Sequence, residues 1–166
     1  MIKIYYCTLI SFIKIRVIFL NIYKFPQKFL SLNKKINMRF HTRKWVKPED
    51  LNANGTLFGG KLLAWIDEEA ALYSIVQLEN SKVVTKFMSE INFMSAAKQG
   101  DIVEIGLDVI QFGKSSLVLK CEVRNMMTRE TIITIDNITM VNLGEDEKPK
   151  PHGKTQIEYI EDRLKK

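Results

Sequence analysis

From residue 83 to residue 143 the chain alternates between apolar and polar positions. Val83, Thr85, Phe87, Ser89, Ile91 and Phe93 alternate with a more polar set that begins Val84, Lys86 and Met88. Val103, Ile105, Leu107 and Val109 alternate with Glu104, Gly106 and Asp108, and Leu117, Leu119, Cys121 and Val123 with Val118, Lys120, Glu122 and Arg124. Period two marks half-buried strands. The separators at 98–101, 112–114 and 125–130 are short enough for hairpins. Ile133, Ile135, Val141 and Leu143 continue the period, while Ile132, Ile138 and Met140 make the last strand apolar on both sides. Ahead of these strands, residues 59–79 contain no proline and no interior glycine and are rich in Ala, Leu and Glu, which predicts one long helix. Residues 39–47 read as a first strand, closed by Pro48 and the Glu49-Asp50 pair. One long helix followed by antiparallel strands is an α+β pattern. Pro149 and Pro151 end the sheet, and residues 155–166 read as a short amphipathic helix on Ile157, Ile160 and Leu164. The expected domain spans 38–145, with a linker and short helix over 146–166.

Charge divides the chain. The net charge is +6, but seven of the 25 basic residues and none of the 19 acids fall in residues 1–37. The remaining 18 basic and 19 acidic residues leave the domain near neutral, which argues against a nucleic-acid groove. Residues 1–37 are read as an extension outside the fold. A misplaced start ahead of Met38, a targeting leader and a membrane-surface anchor all remain open for it. Its longest uncharged runs, broken by Lys14 and Arg16, fall short of the ~20 apolar residues of a membrane span, so no transmembrane segment is expected. Cys7 and Cys121 have no C-x-x-C partner, which argues for a reducing compartment. The expected location is the cytoplasm, or an organelle if the extension is a true leader.

Stepping by three and four along the helix gives Gly60, Leu63, Ala64, Asp67, Ala70, Ala71 and Ser74, a small apolar stripe suited to packing on a sheet. Asp67 sits in its middle, whereas Glu68 and Glu69 lie off it and are expected in solvent. A buried carboxylate is costly unless paired. An ordinary helix acid on a partly exposed stripe and a catalytic base in a dry cleft both fit. The Phe58-Gly59-Gly60 run places two residues without side chains at the helix start, where N–H groups lack partners and the dipole is positive. Such amides suit an oxyanion, although a tight turn also explains paired glycines.

The run N-A-N-G-T-L-F-G-G-K-L-L-A-W-I-D, Asn52 to Asp67, resembles the signature of hotdog-fold acyl-CoA thioesterases, in the acyl-CoA hydrolase branch with the bacterial YciA-like enzymes. Val83-Val84-Thr85, Asn92-Phe93 leading to Gly100-Asp101, and Gly113-Lys114-Ser115-Ser116 follow in the family's order. The resemblance implies a long central helix wrapped by an antiparallel sheet, with protomers joined edge to edge and often a trimer of dimers. It implies hydrolysis of acyl-CoA to CoA and free acid, with no metal and no cofactor beyond the CoA of the substrate. Asp67 matches the catalytic carboxylate, as general base or nucleophile. Asn52 matches the asparagine that completes the site from the opposing protomer, and Gly59 and Gly60 match the oxyanion amides. Phe58, Thr85, Gly113, Lys114, Ser115 and Ser116 match substrate and CoA positions, with Lys114 near a CoA phosphate. Ser95-Ala96-Ala97 stands where the family often has proline, Thr56 where it has Asp or Asn, and Lys114 where Arg is commoner.

The chemistry is compatible with the composition. A thioester is already activated, so water, one carboxylate and a pair of amides suffice without a histidine relay. His41 and His152, the chain's two histidines, are poorly placed for the hydroxyacyl dehydratase of the same fold class. Ser115, Ser116 and Cys121 have no histidine nearby and no G-x-S-x-G is present, which argues against a serine or cysteine hydrolase. The alternative that survives is a catalytically silent acyl-CoA-binding or regulatory module.

Overall fold

The computed structural model describes residues 38–158. The expectations for residues 1–37 lie outside them. In chain order the elements are β1 (Arg39–Trp45), a 3-10 turn (Pro48–Asp50), α1 (Gly59–Leu78), β2 (Val83–Met88), β3 (Ile91–Phe93), β4 (Ile102–Phe112), β5 (Ser116–Asn125) and β6 (Thr131–Asn142). All strand pairs are antiparallel, in the order β1-β4-β5-β6-β2, with β3 also on β6. The α+β expectation holds: one helix packs across one sheet.

Alternation does the sorting. Val103, Ile105 and Leu107 of β4, Leu117, Leu119, Cys121 and Val123 of β5, and Ile133, Ile135, Ile138 and Met140 of β6 are buried on the helix side. Leu62, Ile66, Ala70, Tyr73 and Leu78 of α1 close the same core. The helix stops at Glu79, which takes a left-handed conformation (φ 53°) while its N–H returns to the Ile75 carbonyl.

Four expectations need correcting. The separator at 98–101 closes no hairpin, because β3 pairs with β6 while β4 pairs with β1 and β5. The helix stripe is rotated: the large side chains of Leu62, Ile66 and Tyr73 meet the sheet, while Gly60, Ala64 and Asp67 face outward in the single protomer. Neighbouring helix positions differ by about 100°, so choosing small residues instead of large ones turns the first half of the face, while Ala70 and Ser74 of the expected stripe are buried. The strand expected over 83–93 is broken. Its register slips between Thr85 and Phe87, and at Ser89 the side-chain oxygen takes the Asn137 N–H at 3.0 Å in place of a backbone partner. At the C-terminus, residues 155–158 are irregular where a helix was expected; the rest of that stretch lies outside the described residues. Among the described residues, no helix is long and apolar enough to cross a membrane.

Candidate active site

The loop before α1 is built around Asn52. Leu51 bridges Leu57, and Asn52 N–H donates to the Thr56 carbonyl at 2.8 Å, closing a turn whose Gly55 has φ +73°. That left-handed conformation is what a glycine supplies without strain. The Asn52 Oδ1 accepts from the N–H groups of Asn54 (2.9 Å) and Thr56 (3.3 Å), and its Nδ2 donates to the Thr56 hydroxyl at 3.0 Å. Thr56 therefore keeps, through its hydroxyl, a hydrogen-bonding role at the position where the family pattern has Asp or Asn.

Asp50, read from sequence only as the end of a strand, anchors this loop. It is buried, its Oδ2 accepts from the Lys47 N–H at 3.0 Å, and Lys61 of α1 pairs with its Oδ1 at 3.5 Å. Its carbonyl takes the Phe58 N–H at 2.8 Å, which sets the angle at which the chain enters the helix. An acid two residues after a proline, at the end of a 3-10 turn, was the available signal.

Phe58 heads α1 in an extended conformation and no side chain caps the helix. The first turn begins with Gly59 and Gly60, and the first return bond is Leu62 N–H to the Phe58 carbonyl at 3.1 Å. A Cβ on Gly60 would lie 2.6 Å from the Phe58 ring, and one on Gly59 3.1 Å from the Phe93 ring. Both rings are 55% exposed. The uncapped, positive end of the helix is thus framed by two aromatic side chains.

Asp67 lies two turns further on and is exposed in the single protomer. Thr85 of β2, matched in sequence to a substrate position, donates its hydroxyl to Asp67 Oδ1 at 2.6 Å, so it touches the matched catalytic carboxylate. Glu69, expected in solvent, is instead mostly covered: it accepts from the Thr42 hydroxyl at 2.5 Å and pairs with Lys44 at 3.7 Å. Gly113, Lys114, Ser115 and Ser116 form the β4–β5 turn, closed by Gly113 N–H to the Ser116 carbonyl at 2.8 Å. Among the described residues, no hydrogen bond or ion pair joins Asn52 or this turn to Asp67. Burial pushes the Cys121 thiol up to about 12, so it supplies no thiolate at neutral pH.

The thioesterase superfamily model matches residues 54–132. An acyl-CoA thioester hydrolase of Zymomonas mobilis is 30% identical over 107 residues, covering 61% of this chain and 70% of the relative. The chain belongs to the thioesterase superfamily. A second relative, an acyl-CoA thioester hydrolase of Buchnera aphidicola from Acyrthosiphon pisum, is 36% identical over 76 residues. That match covers 46% of this chain, and the chain spans little more than half of that relative's length, 56%. Among solved structures, the hexameric thioesterase y2039 from Yersinia pestis superposes with a TM-score of 0.64 at 26% identity, covering 69% of this chain and 95% of that one. The superfamily match begins two residues after Asn52 and runs through the helix start, Asp67, Thr85 and the Gly113–Ser116 turn to the beginning of β6; Asp50 and Asn52 lie outside it.

Proposed function

We propose that the chain hydrolyses acyl-CoA thioesters to CoA and a free acid. The observation that carries the reading is Asp67, held by the Thr85 hydroxyl at 2.6 Å on a helix whose glycine start has no side-chain cap. Asp67 takes a proton from water as the water oxygen attacks the thioester carbon. The Gly59 and Gly60 amides receive the developing oxyanion. The tetrahedral intermediate then breaks its C–S bond, and the thiolate, of ordinary thiol basicity, leaves without a separate acid. Nothing in this sequence of steps draws on a metal or a redox cofactor. The names of the relatives, acyl-CoA thioester hydrolases, support the substrate class.

Geometry supports a site shared between two protomers. Gly60 and Asp67 are seven residues apart on one helix, about 10 Å along its axis. One carbonyl cannot lie against both, so the carboxylate and the amides acting on a single thioester come from different chains. The exposed edge strand β2, with Val84 and Phe87 outward, and the outward stripe of Gly60, Ala64 and Asp67 suit an edge-to-edge dimer. The hexameric neighbour supports a trimer of such dimers.

The test is thiol release from a panel of acyl-CoAs, short to long, by the purified full chain. Release from at least one chain length is expected. No release from any, by a folded oligomer that still binds CoA, would replace hydrolysis with a silent binding role. Thr85→Val is expected to lower kcat about tenfold, the worth of one charge-assisted hydrogen bond. Steady-state kinetics beside a melting curve would check this, since a loss of stability instead of kcat would deny the contact its role.

A further inference from the structure

His152, poorly placed for chemistry, holds the Gly113–Ser116 turn from behind. Residues 148–152 fold back along the end of β6. Lys150 N–H donates to the Asn142 carbonyl at 2.9 Å, and the buried Asn142 returns its Nδ2 to the Lys150 carbonyl at 2.8 Å. This sets His152 against the β4–β5 turn. Its backbone N–H donates to the Lys114 carbonyl at 3.2 Å, its Nε2 lies 3.1 Å from the Ser116 carbonyl, and its ring tilts against Phe112 at 6.4 Å. Its Nδ1 accepts the Lys154 N–H at 3.0 Å, so in the neutral ring the hydrogen sits on Nε2 and is donated to Ser116. The Ser116 carbonyl thus takes two donors, Gly113 N–H from within the turn and His152 from outside it. Beyond His152 the segment is tied to the far end of α1. Lys154 pairs with Glu79 at 2.8 Å, and Glu158 N–H donates to Gln77 Oε1 at 2.9 Å.

We propose that His152 is a positioning residue that fixes the Gly113–Ser116 turn for the CoA part of the substrate. This rests on the reading that the turn lines the CoA path, and it acts on binding and not on the bond-breaking step. The two ring nitrogens have separable stand-ins: a glutamine amide replaces the Nε2 donor, whereas an asparagine oxygen replaces only the Nδ1 acceptor.

The experiment compares the full chain with H152A, H152Q and H152N, measuring kcat and KM for acyl-CoA, calorimetric Kd for CoA and the melting midpoint. In H152A and H152N, KM and Kd are expected to rise about fivefold, the worth of one hydrogen bond, with a smaller change in kcat. H152Q is expected to restore both. An unchanged KM in H152A, or rescue by H152N in place of H152Q, would overturn the proposal. Equal losses in kcat and midpoint without a change in Kd would also overturn it, by reducing His152 to a structural tie. If the wild type releases no thiol but its Kd for CoA follows the same pattern, the positioning role stands and the hydrolase reading falls. A wild type that neither hydrolyses nor binds overturns both.

Discussion

Asp67→Ala is expected to lower kcat for acyl-CoA hydrolysis by about 10²–10⁴-fold, the range for loss of a positioned general base. The core should stay intact, because the side chain is exposed in the protomer and its bond is to the Thr85 hydroxyl. Asp67→Asn makes the sharper variant. It keeps an oxygen to accept the 2.6 Å hydrogen bond from Thr85 but cannot take a proton from water. Both variants should therefore fail alike in turnover, while Asn preserves the local geometry that Ala disturbs. Single-turnover thiol release beside size-exclusion elution separates the cases. Near-wild-type turnover in Asp67→Asn would assign the base elsewhere, whereas lost turnover with a dissociated oligomer would reduce Asp67 to holding the two chains together, without a part in the chemistry. The same reasoning ranks Thr85→Val below either, since it weakens a partner and leaves the base in place.

The parts of the site legible in the sequence are those whose chemistry is local. A proline-free run rich in Ala, Leu and Glu behind two glycines specifies a helix and its uncapped start with little help from the rest of the fold. The Asn52 turn is equally local, since its side chain bonds to residues two and four positions on. The helix face was not legible from spacing, because two stripes one position apart both run its length and only the sheet decides between them. Leu62, Ile66 and Tyr73 win by area, which sends Asp67 to the surface of the protomer and makes a second chain the natural cover for it. The break between β2 and β3 was hidden for a similar reason. The period of two runs through Ser89 without a flaw, while in the fold the Ser89 N–H still reaches the Asn137 carbonyl at 2.8 Å and the Asn137 N–H turns to the Ser89 side chain. His152 and Asp50 act through residues 36 and 11 positions away, Ser116 and Lys61, separations at which a single sequence carries no pairing signal.

Glu104→Gln is expected to destabilise the fold by about 3 kcal/mol, near the lower end for removing one partner of a buried ion pair. Glu104 occupies a position that alternation assigns to the polar side of β4, yet its side chain is only 4% exposed. Three arginines from three segments cover it. Arg124 of β5 places Nε and Nη2 each 3.0 Å from Oε2, Arg129 adds Nη1 at 2.8 Å, and Arg43 of β1 brings Nε to 3.4 Å of Oε1. Arg124 is itself fixed by the Phe40 ring, 3.5 Å from its guanidinium carbon. Neutralising the carboxylate leaves these guanidiniums crowded together with no counter-charge. Arg43 and Arg129 are about 60% exposed and can turn to water, which keeps the cost near 3 kcal/mol instead of 5. Urea denaturation with an unchanged slope would report this as a lower midpoint. Burial pushes the Glu104 carboxyl up, but the hydrogen bond from Arg124 and the charges of Arg124 and Arg129, with the bond from Arg43, outweigh it and hold the group below the usual glutamate value. A depressed folded-state value means stability that is present above the ordinary glutamate value and is lost as pH falls through the lower, folded one. The wild type should lose that increment on acidification, and Glu104→Gln, which has no proton to take up there, should show a correspondingly flatter acid limb. Parallel acid limbs in the two proteins would mean that the arginines, not the carboxylate, set the stability of this face.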